Sequence, residues 1–389
     1  MNLGANVMKI LQVTNIVSHH QLPLARELCK LVGEENFLFA ATEDFDQDRL
    51  KNGWQGEYLE KWIIHPNNSI EEKEKFDKFW DEADVVLCGE RLISNMQARV
   101  DSKKLCFYMS ERWWKPPVGI LRLFHPGYLK MVLNFRRLSK SPYFHYLPTG
   151  PFAAKDIALI TSMSERVWRW GYFTEIPNAT RDISEVVSSK TVNVLWVGRM
   201  LKWKKVDLLI KVLARLKNEG KDFKLTLVGD GPERERLHRL ADKMLGDKYY
   251  TIKDFIPAAK VPILMAKHEI YVLPSNAYEG WGAVINEAMS VGCAVVASDM
   301  TGAGAAMIEN GVNGLLFKSG SVDSLYNCLN DLLYDKMYRR KLGSNAQLTM
   351  KYKWSPTIAS KRFYMLSKSL INSDTVYSES GGPLSSIVP

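Results

Sequence analysis

Between Val192 and Ala297, short apolar runs and amphipathic segments alternate without a break, and this constrains the fold more than any other feature. Val192-Asn-Val-Leu-Trp-Val-Gly198, Phe223-Lys-Leu-Thr-Leu-Val-Gly229, Tyr250-Thr-Ile-Lys-Asp-Phe255, Ile270-Tyr-Val-Leu-Pro274 and Cys293-Ala-Val-Val-Ala297 each read as a strand. Val206 to Leu216 places apolar residues at 206, 209, 210, 213 and 216, one face of a helix. A further helix is expected from Pro232, and Val261 to Lys267 and Gly282 to Ser290 continue the alternation. Parallel strands need crossover helices, so this order predicts a doubly wound α/β domain. In such a sheet, ligands bind beyond the carboxyl ends of the strands.

The first half repeats the plan less regularly. Strands are expected at Met8–Thr14, 37–41, 84–88, 105–109, 158–162 and 173–176, with helices at Gln21–Leu31 and at the highly charged stretch Ile70–Glu82. Pro23 falls in a first helical turn, where its missing N–H is tolerated. The polar stretch 179–190 lacks either periodicity and is expected to connect two domains, 1–178 and 191–354. A helix over 355–371 is expected to cross back to the N-terminal domain, followed by a flexible tail at 372–389. A length of 389 residues with 46% hydrophobic content suits two cores and excludes a disordered chain. Mean hydropathy of −0.19 and the lack of a long uncharged apolar run exclude a polytopic membrane protein. The N-terminus does not read as a secretory signal. Cys29, Cys88, Cys106, Cys293 and Cys328 form no CxxC pair, and are expected to be reduced, mostly buried thiols of a cytoplasmic protein.

The net charge of +9 has a location. From Arg112 to Lys155 there is no Asp or Glu, while Arg112, Lys115, Arg122, Lys130, Arg136, Arg137, Lys140 and Lys155 supply eight cations. Trp, Phe, Leu and Tyr interleave with them, and Tyr128–Leu138 can form a helix with a basic edge. That composition suits an anionic membrane surface through 112–140, placing the protein peripherally on the inner face of the cell membrane. A plain basic surface over a packed helix is the alternative. No nucleic-acid recognition motif accompanies the charge, so nucleic acid is not expected as a partner.

Two loops of the second half carry the chemistry. Gly198-Arg199-Met-Leu-Lys-Trp-Lys204-Lys205 combines a glycine at a strand end with several cations, which suits a diphosphate, although a solvated basic loop has the same composition. Ser275-Asn-Ala-Tyr-Glu279-Gly280-Trp281-Gly282-Ala-Val-Ile-Asn-Glu287 sets glycines before a helix, an anion-attracting end, with two carboxylates beside it. Carboxylates there make sense if they accept hydrogen bonds from sugar hydroxyls. Glu287 is expected about one and a half turns into that helix.

These loops, together with Val228-Gly-Asp-Gly-Pro-Glu233, Ala297-Ser-Asp-Met-Thr-Gly302 and Ile308-Glu-Asn-Gly-Val-Asn-Gly-Leu-Leu-Phe317, make residues 190–350 resemble glycosyltransferase family 4. The resemblance implies a GT-B fold: two Rossmann-like doubly wound domains facing a central cleft. It also implies a retaining glycosyltransferase of the hexosyl type, acting in surface polysaccharide biosynthesis. Its donor would be a UDP- or GDP-linked sugar, used as a co-substrate with no separate cofactor and no metal. Its acceptor would be a glycan or lipid-diphosphate-linked glycan. Carried over, Arg199 and Lys204 would bind the diphosphate, with Gly198 and Lys205 beside them. Glu279 would contact the donor sugar and Glu287 the ribose. Backbone N–H groups of Gly280, Trp281 and Gly282 would assist, and Phe255 and Ile256 would border the base. The chain departs from the family at Lys205, where Gly is frequent, and at Ala306, where Glu is frequent. It departs also at Ser18-His19-His20-Gln21, which replaces a Gly-Gly pair.

On the acceptor side His20, next to His19, could orient or deprotonate a hydroxyl, or merely cap a helix. Glu111 is a second candidate, or else the ion-pair partner of Arg112. Asp44-Phe-Asp46-Gln-Asp48 has the DxD spacing of metal-dependent transferases, but reads better as the acidic first turn of a helix. Gly229–Glu233 is expected to be chiefly a structural turn. An epimerase of the same fold and a non-catalytic glycan-binding subunit are the competing functions.

Overall fold

A computed structural model describes residues 7–44, 58, 60–89, 95–177, 191–372 and 375–387. The connection at 179–190 and Asp46 and Asp48 of the DxD stretch lie outside them. The chain forms two compact units, one running to Thr174 and resumed at Ser355, the other running from Glu175 to Trp354.

The first unit holds a six-stranded parallel sheet: β1 (Ile10–Thr14), β2 (Phe37–Ala41), β3 (Ile63–Ile64), β4 (Val85–Cys88), β5 (Leu105–Ser110) and β6 (Phe144–Pro148), in the order β3-β2-β1-β4-β5-β6. Ile10 lies opposite Phe37 on one side and Val85 on the other. Every residue of β1, β2, β4, β5 and β6 is buried, as expected for a sheet covered on both faces. The charged helix Ile70–Glu82 buries none of its residues, and Ser69 caps it by accepting from the Glu72 N–H at 3.1 Å.

Three expectations fail here. Residues 158–162 are not a strand, because Ala158 closes the helix Pro151–Ala158, which Pro151 opens. Residues 173–176 form no strand either. The strands not expected are β3, two residues long, and β6, whose Phe-His-Tyr-Leu-Pro sequence hides it: His145 interrupts the apolar run. That imidazole is kept neutral, pushed down to about 3 by burial and then by Arg166, and it accepts the Trp168 indole N–H at 3.0 Å. Residues 375–387 of the expected tail are not loose. After the helix Pro356–Asn372, Leu384 is buried, and its N–H and that of Arg169 bond the carbonyls of Arg169 and Ser385 at 2.7 and 2.9 Å. Arg362 also holds the carbonyls of Gly381 and Pro383. The helix itself packs in this unit, with Phe363 fully buried against Phe107 at 4.9 Å.

The second unit holds β7 (Val192–Val197), β8 (Phe223–Val228), β9 (Tyr250–Lys253), β10 (Ile270–Leu273), β11 (Ala294–Ser298) and β12 (Leu315–Phe317), ordered β12-β11-β10-β7-β8-β9 and all parallel. The helix Val206–Asn218 buries Leu209, Ile210, Leu213 and Leu216 completely against Val194, Trp196, Leu225 and Leu227. Each such side chain contributes about 1.5–3 kcal/mol relative to an exposed one. The helix expected from Pro232 begins at Arg234, with Glu233 as its cap. In both sheets the strand order reverses beside the first strand, between β1 and β4 and between β7 and β10. All five cysteines are free thiols, and four are buried. Among the described residues, no helix is long and apolar enough to cross a membrane.

Candidate active site

The two loops singled out in the second half follow β7 and β10, which are hydrogen-bonded neighbours at the point of strand reversal. Carboxyl ends of strands diverge there and leave room for a ligand. The Asn276 N–H donates to the Trp203 carbonyl at 3.0 Å, tying one loop to the other. Across this tie the Lys204 ammonium donates to the Glu279 carboxylate at 2.6 Å, with the two side chains only 14% and 10% exposed. The same ammonium lies 4.6 Å from the centre of the Trp203 ring. Arg199 stands exposed at the start of the loop.

Lys205 occupies the left-handed region at φ +54, as the residue before the helix Val206–Asn218. Glycine suits this position for lack of a Cβ, which explains why a lysine here is a departure. Lys205→Gly is expected to stabilise the domain by roughly 0.5–1 kcal/mol. Thermal unfolding of the purified variant checks this; an unchanged or lowered midpoint would refute it.

Glu279 is nearly buried, and Glu287 is buried in the first turn of the short helix Val284–Ser290, earlier in the helix than expected. The Tyr271 hydroxyl of β10 donates to the Val197 carbonyl at 3.3 Å. Burial first, then the Glu287 and Glu279 carboxylates, hold its pKa far above the usual phenol range. Tyr271 thus lies beneath both acids as a neutral hydroxyl, a residue that its apolar strand context concealed. Gly282, at φ +87, has the Leu273 side chain 2.9 Å from where a Cβ would stand. The Gly280 and Trp281 carbonyls accept the N–H groups of Gly302 and Ala303 at 3.1 and 2.8 Å. Trp281 is buried and donates its indole N–H to Asn286 at 2.8 Å, so its side chain anchors the loop from below.

Gly229–Glu233 is a brace. Met200 exchanges backbone bonds with this turn, Met200 N–H to Asp230 O at 2.7 Å and Glu233 N–H to Met200 O at 3.0 Å. Arg234 donates to the Gly229 carbonyl at 2.7 Å and pairs with Asp254 at 2.6 Å, which fixes the loop carrying Phe255 and Ile256. Phe255 is exposed directly after β9.

In the first unit, His19 and His20 lie on the turn between β1 and the helix Leu22–Val32, beside the strand reversal of that sheet. The cap of that helix is Gln21, so His20 does not cap it. Burial pushes the His20 imidazole down to about 4, leaving it uncharged at neutral pH. Glu111 pairs with Lys115 at 2.6 Å and accepts the Tyr172 hydroxyl at 3.1 Å, while Arg112 pairs with Asp156 instead. Tyr172 stacks on His20 at 6.1 Å between centroids. His20 and Glu111, which the sequence presents as alternatives, are therefore linked through a tyrosine that no motif marked. Asp44 reaches His65 at 3.4 Å.

Residues 180–349 match the family Glycosyl transferases group 1. This domain is therefore similar to that family. Alpha-D-kanosaminyltransferase of Streptomyces kanamyceticus is 33% identical over 154 residues, 39% of each chain. A GDP-mannose-dependent alpha-(1-6)-phosphatidylinositol monomannoside mannosyltransferase of Mycolicibacterium smegmatis is 29% identical over 156 residues, 39% of this chain and 41% of the relative. The chain thus spans about two fifths of the length of these curated relatives. Among solved structures, Anabaena HepE in complex with UDP aligns over 92% of this chain and 98% of its own, at 20% identity and a TM-score of 0.68. The lipopolysaccharide outer core galactosyltransferase WaaB aligns over 94% and 99%, at 18% identity and a TM-score of 0.66. The two six-stranded parallel sheets are those of the GT-B fold.

Proposed function

We propose that this protein transfers a sugar from a nucleotide-diphosphate donor to a hydroxyl of a glycan or lipid-linked glycan, with retention of anomeric configuration, in surface polysaccharide assembly. The observation that carries the reading is the Lys204–Glu279 pair across adjacent loops at the strand reversal of the family domain. In this reading the pair offers a cation to the leaving diphosphate and a carboxylate to the sugar hydroxyls. Reorganisation on binding is therefore small.

In this reading Arg199, Lys204 and Lys205 face the diphosphate, with Gly198 giving backbone access. Glu279 and the Gly280–Gly282 backbone hold the sugar, Glu287 the ribose, and Phe255 and Ile256 the base. The bond from the anomeric carbon to the diphosphate oxygen breaks as the acceptor oxygen approaches on the same face. The acceptor proton passes to the departing diphosphate, whose developing charge the cations stabilise. His20, Tyr172 and Glu111 serve the acceptor. The reading places the enzyme at the cytoplasmic face of a membrane, where lipid-linked acceptors are presented. Hexose transfer without a metal is part of the proposal.

Incubation with a panel of nucleotide sugars, followed by assay of nucleoside diphosphate, tests it. Release that depends on a glycan acceptor is the expected result. Release without acceptor, yielding a new free sugar, would point to an epimerase. No release from any donor would favour a non-catalytic glycan-binding protein.

A further inference from the structure

The acid-free segment of the first unit folds into a 3₁₀ turn, Gly119–Phe124, followed by the helix Pro126–Leu138. Val132, Phe135 and Leu138 face inward, with Phe135 edge-on to Trp113 at 5.1 Å and to Tyr146 at 5.4 Å. Tyr128 and Met131 add to that packing, and the Arg137 guanidinium donates to Gln97 at 2.8 Å at the surface. Apolar residues that packing does not use are exposed in both elements: Phe124 at 86%, Leu121 at 60% and Ile120 in the turn, and Leu129 and Leu133 on the helix. Leu129, Leu133 and Arg136 share one helical row, with Lys130 and Arg137 beside it. Toward the carboxyl end of the helix the exposed residues become Arg136, Arg137 and Lys140. Arg136 and Arg137 stand roughly 5–12 Å along the helix from the leucines, at about 1.5 Å per residue, and Lys140 follows its end.

Charge decides the occupant. No acid occurs from 112 to 155, and the two that flank the segment are already engaged, Glu111 by Lys115 and Tyr172 and Asp156 by Arg112 and the Trp114 N–H. The exposed surface therefore begins with apolar residues, Lys130 among the leucines, and ends in cations alone. An anionic lipid bilayer has the same two-part profile, hydrocarbon beneath a layer of phosphates within 5–10 Å of depth. We infer that residues 118–140 form a membrane-docking wedge, with Phe124 and Leu121 entering the acyl region and Arg136, Arg137 and Lys140 meeting lipid phosphates. The inference deepens the membrane-side acceptor reading above and identifies the surface that performs it. It stands or falls separately from sugar transfer.

Cosedimentation of the full chain with vesicles tests it, using phosphatidylcholine with and without phosphatidylglycerol, while nucleotide binding is followed in parallel by UDP or GDP titration. Binding to the anionic vesicles only, weakened by salt, is expected. The variant L121E/F124E should lose at least about tenfold in vesicle affinity. R136A/R137A/K140A should lose about fivefold per cation on anionic vesicles. Both should retain the thermal midpoint and nucleotide affinity, since these side chains are exposed and the Arg137 bond to Gln97 lies at the surface. Failure of the full chain to bind anionic vesicles would overturn the wedge, as would wild-type binding by both variants. A concentration-dependent dimer abolished by the same substitutions, with no vesicle binding, would reassign the face to a second copy. Loss of nucleotide binding by the full chain would count against the donor reading and leave the vesicle result intact.

Discussion

Lys204→Ala is expected to lower turnover by about 10²–10³-fold, an effect of the size seen when a donor to developing charge is removed. Lys204 and Glu279 touch at 2.6 Å in a nearly buried setting, so neither acts alone. Without Lys204, the diphosphate loses a fixed cation, and Glu279 is left as an uncompensated carboxylate beside the departing anion. Glu279→Gln retains the shape and one hydrogen bond to a sugar hydroxyl, yet releases Lys204 from its position. It too should lose about two orders of magnitude. The double variant should be hardly slower than the worse single one, because the second substitution removes a partner already displaced. Measuring kcat across this cycle checks the claim. Single variants within tenfold of the parent, or losses that simply multiply, would sink the coupled-pair argument. Unchanged thermal midpoints would separate chemistry from folding.

The second large effect concerns a residue with no chemistry. Gly229 sits at φ +134, and a Cβ there would lie 1.9 Å from the Gly198 carbonyl oxygen. Backbone on both sides leaves nothing flexible to yield, so Gly229→Ala must separate the loop after β8 from the loop after β7. A loss of at least about 3 kcal/mol is expected, or roughly 6–12 °C in thermal midpoint for a domain of this size. Nucleotide affinity should fall with it, because the displaced loop carries Arg199 and Lys204. Gly246 is the control, at φ +77 with open space around its Cβ. Gly246→Ala should show only the left-handed penalty of about 1–2 kcal/mol. Equal losses for the two variants would show that conformation, and not the contact, governs Gly229.

Much of the second domain is legible from its order of residues. Parallel strands buried on both faces are nearly continuous apolar runs, and β7, β8, β10 and β11 all stand out in that way. Where that signal is diluted, reading fails. β6 was lost because His145 interrupts it, and the burial that neutralises this ring comes from distant Trp168 and Phe107. The tail from 375 onward looked loose because glycine, serine and proline imply no structure by themselves. Its order comes from Arg362 and from pairing with residues 167–169. Glu111 reads in sequence as an ion-pair partner of its neighbour Arg112, but the carboxylate reaches Lys115 four residues ahead and Tyr172 on another segment.

What the chain determines by itself is the strand–helix alternation, the loops that end in glycine and cations, and the family that residues 180–349 resemble. Those are local properties: period, composition and spacing are set within a few residues. Only the tertiary structure decides that β10 lies beside β7, although β8 and β9 intervene along the chain. Adjacency in a sheet depends on which crossovers close over which face, a long-range balance of packing that no short window contains. That adjacency puts Lys204 on Glu279 across 75 positions of sequence, and turns two separate motifs into one site.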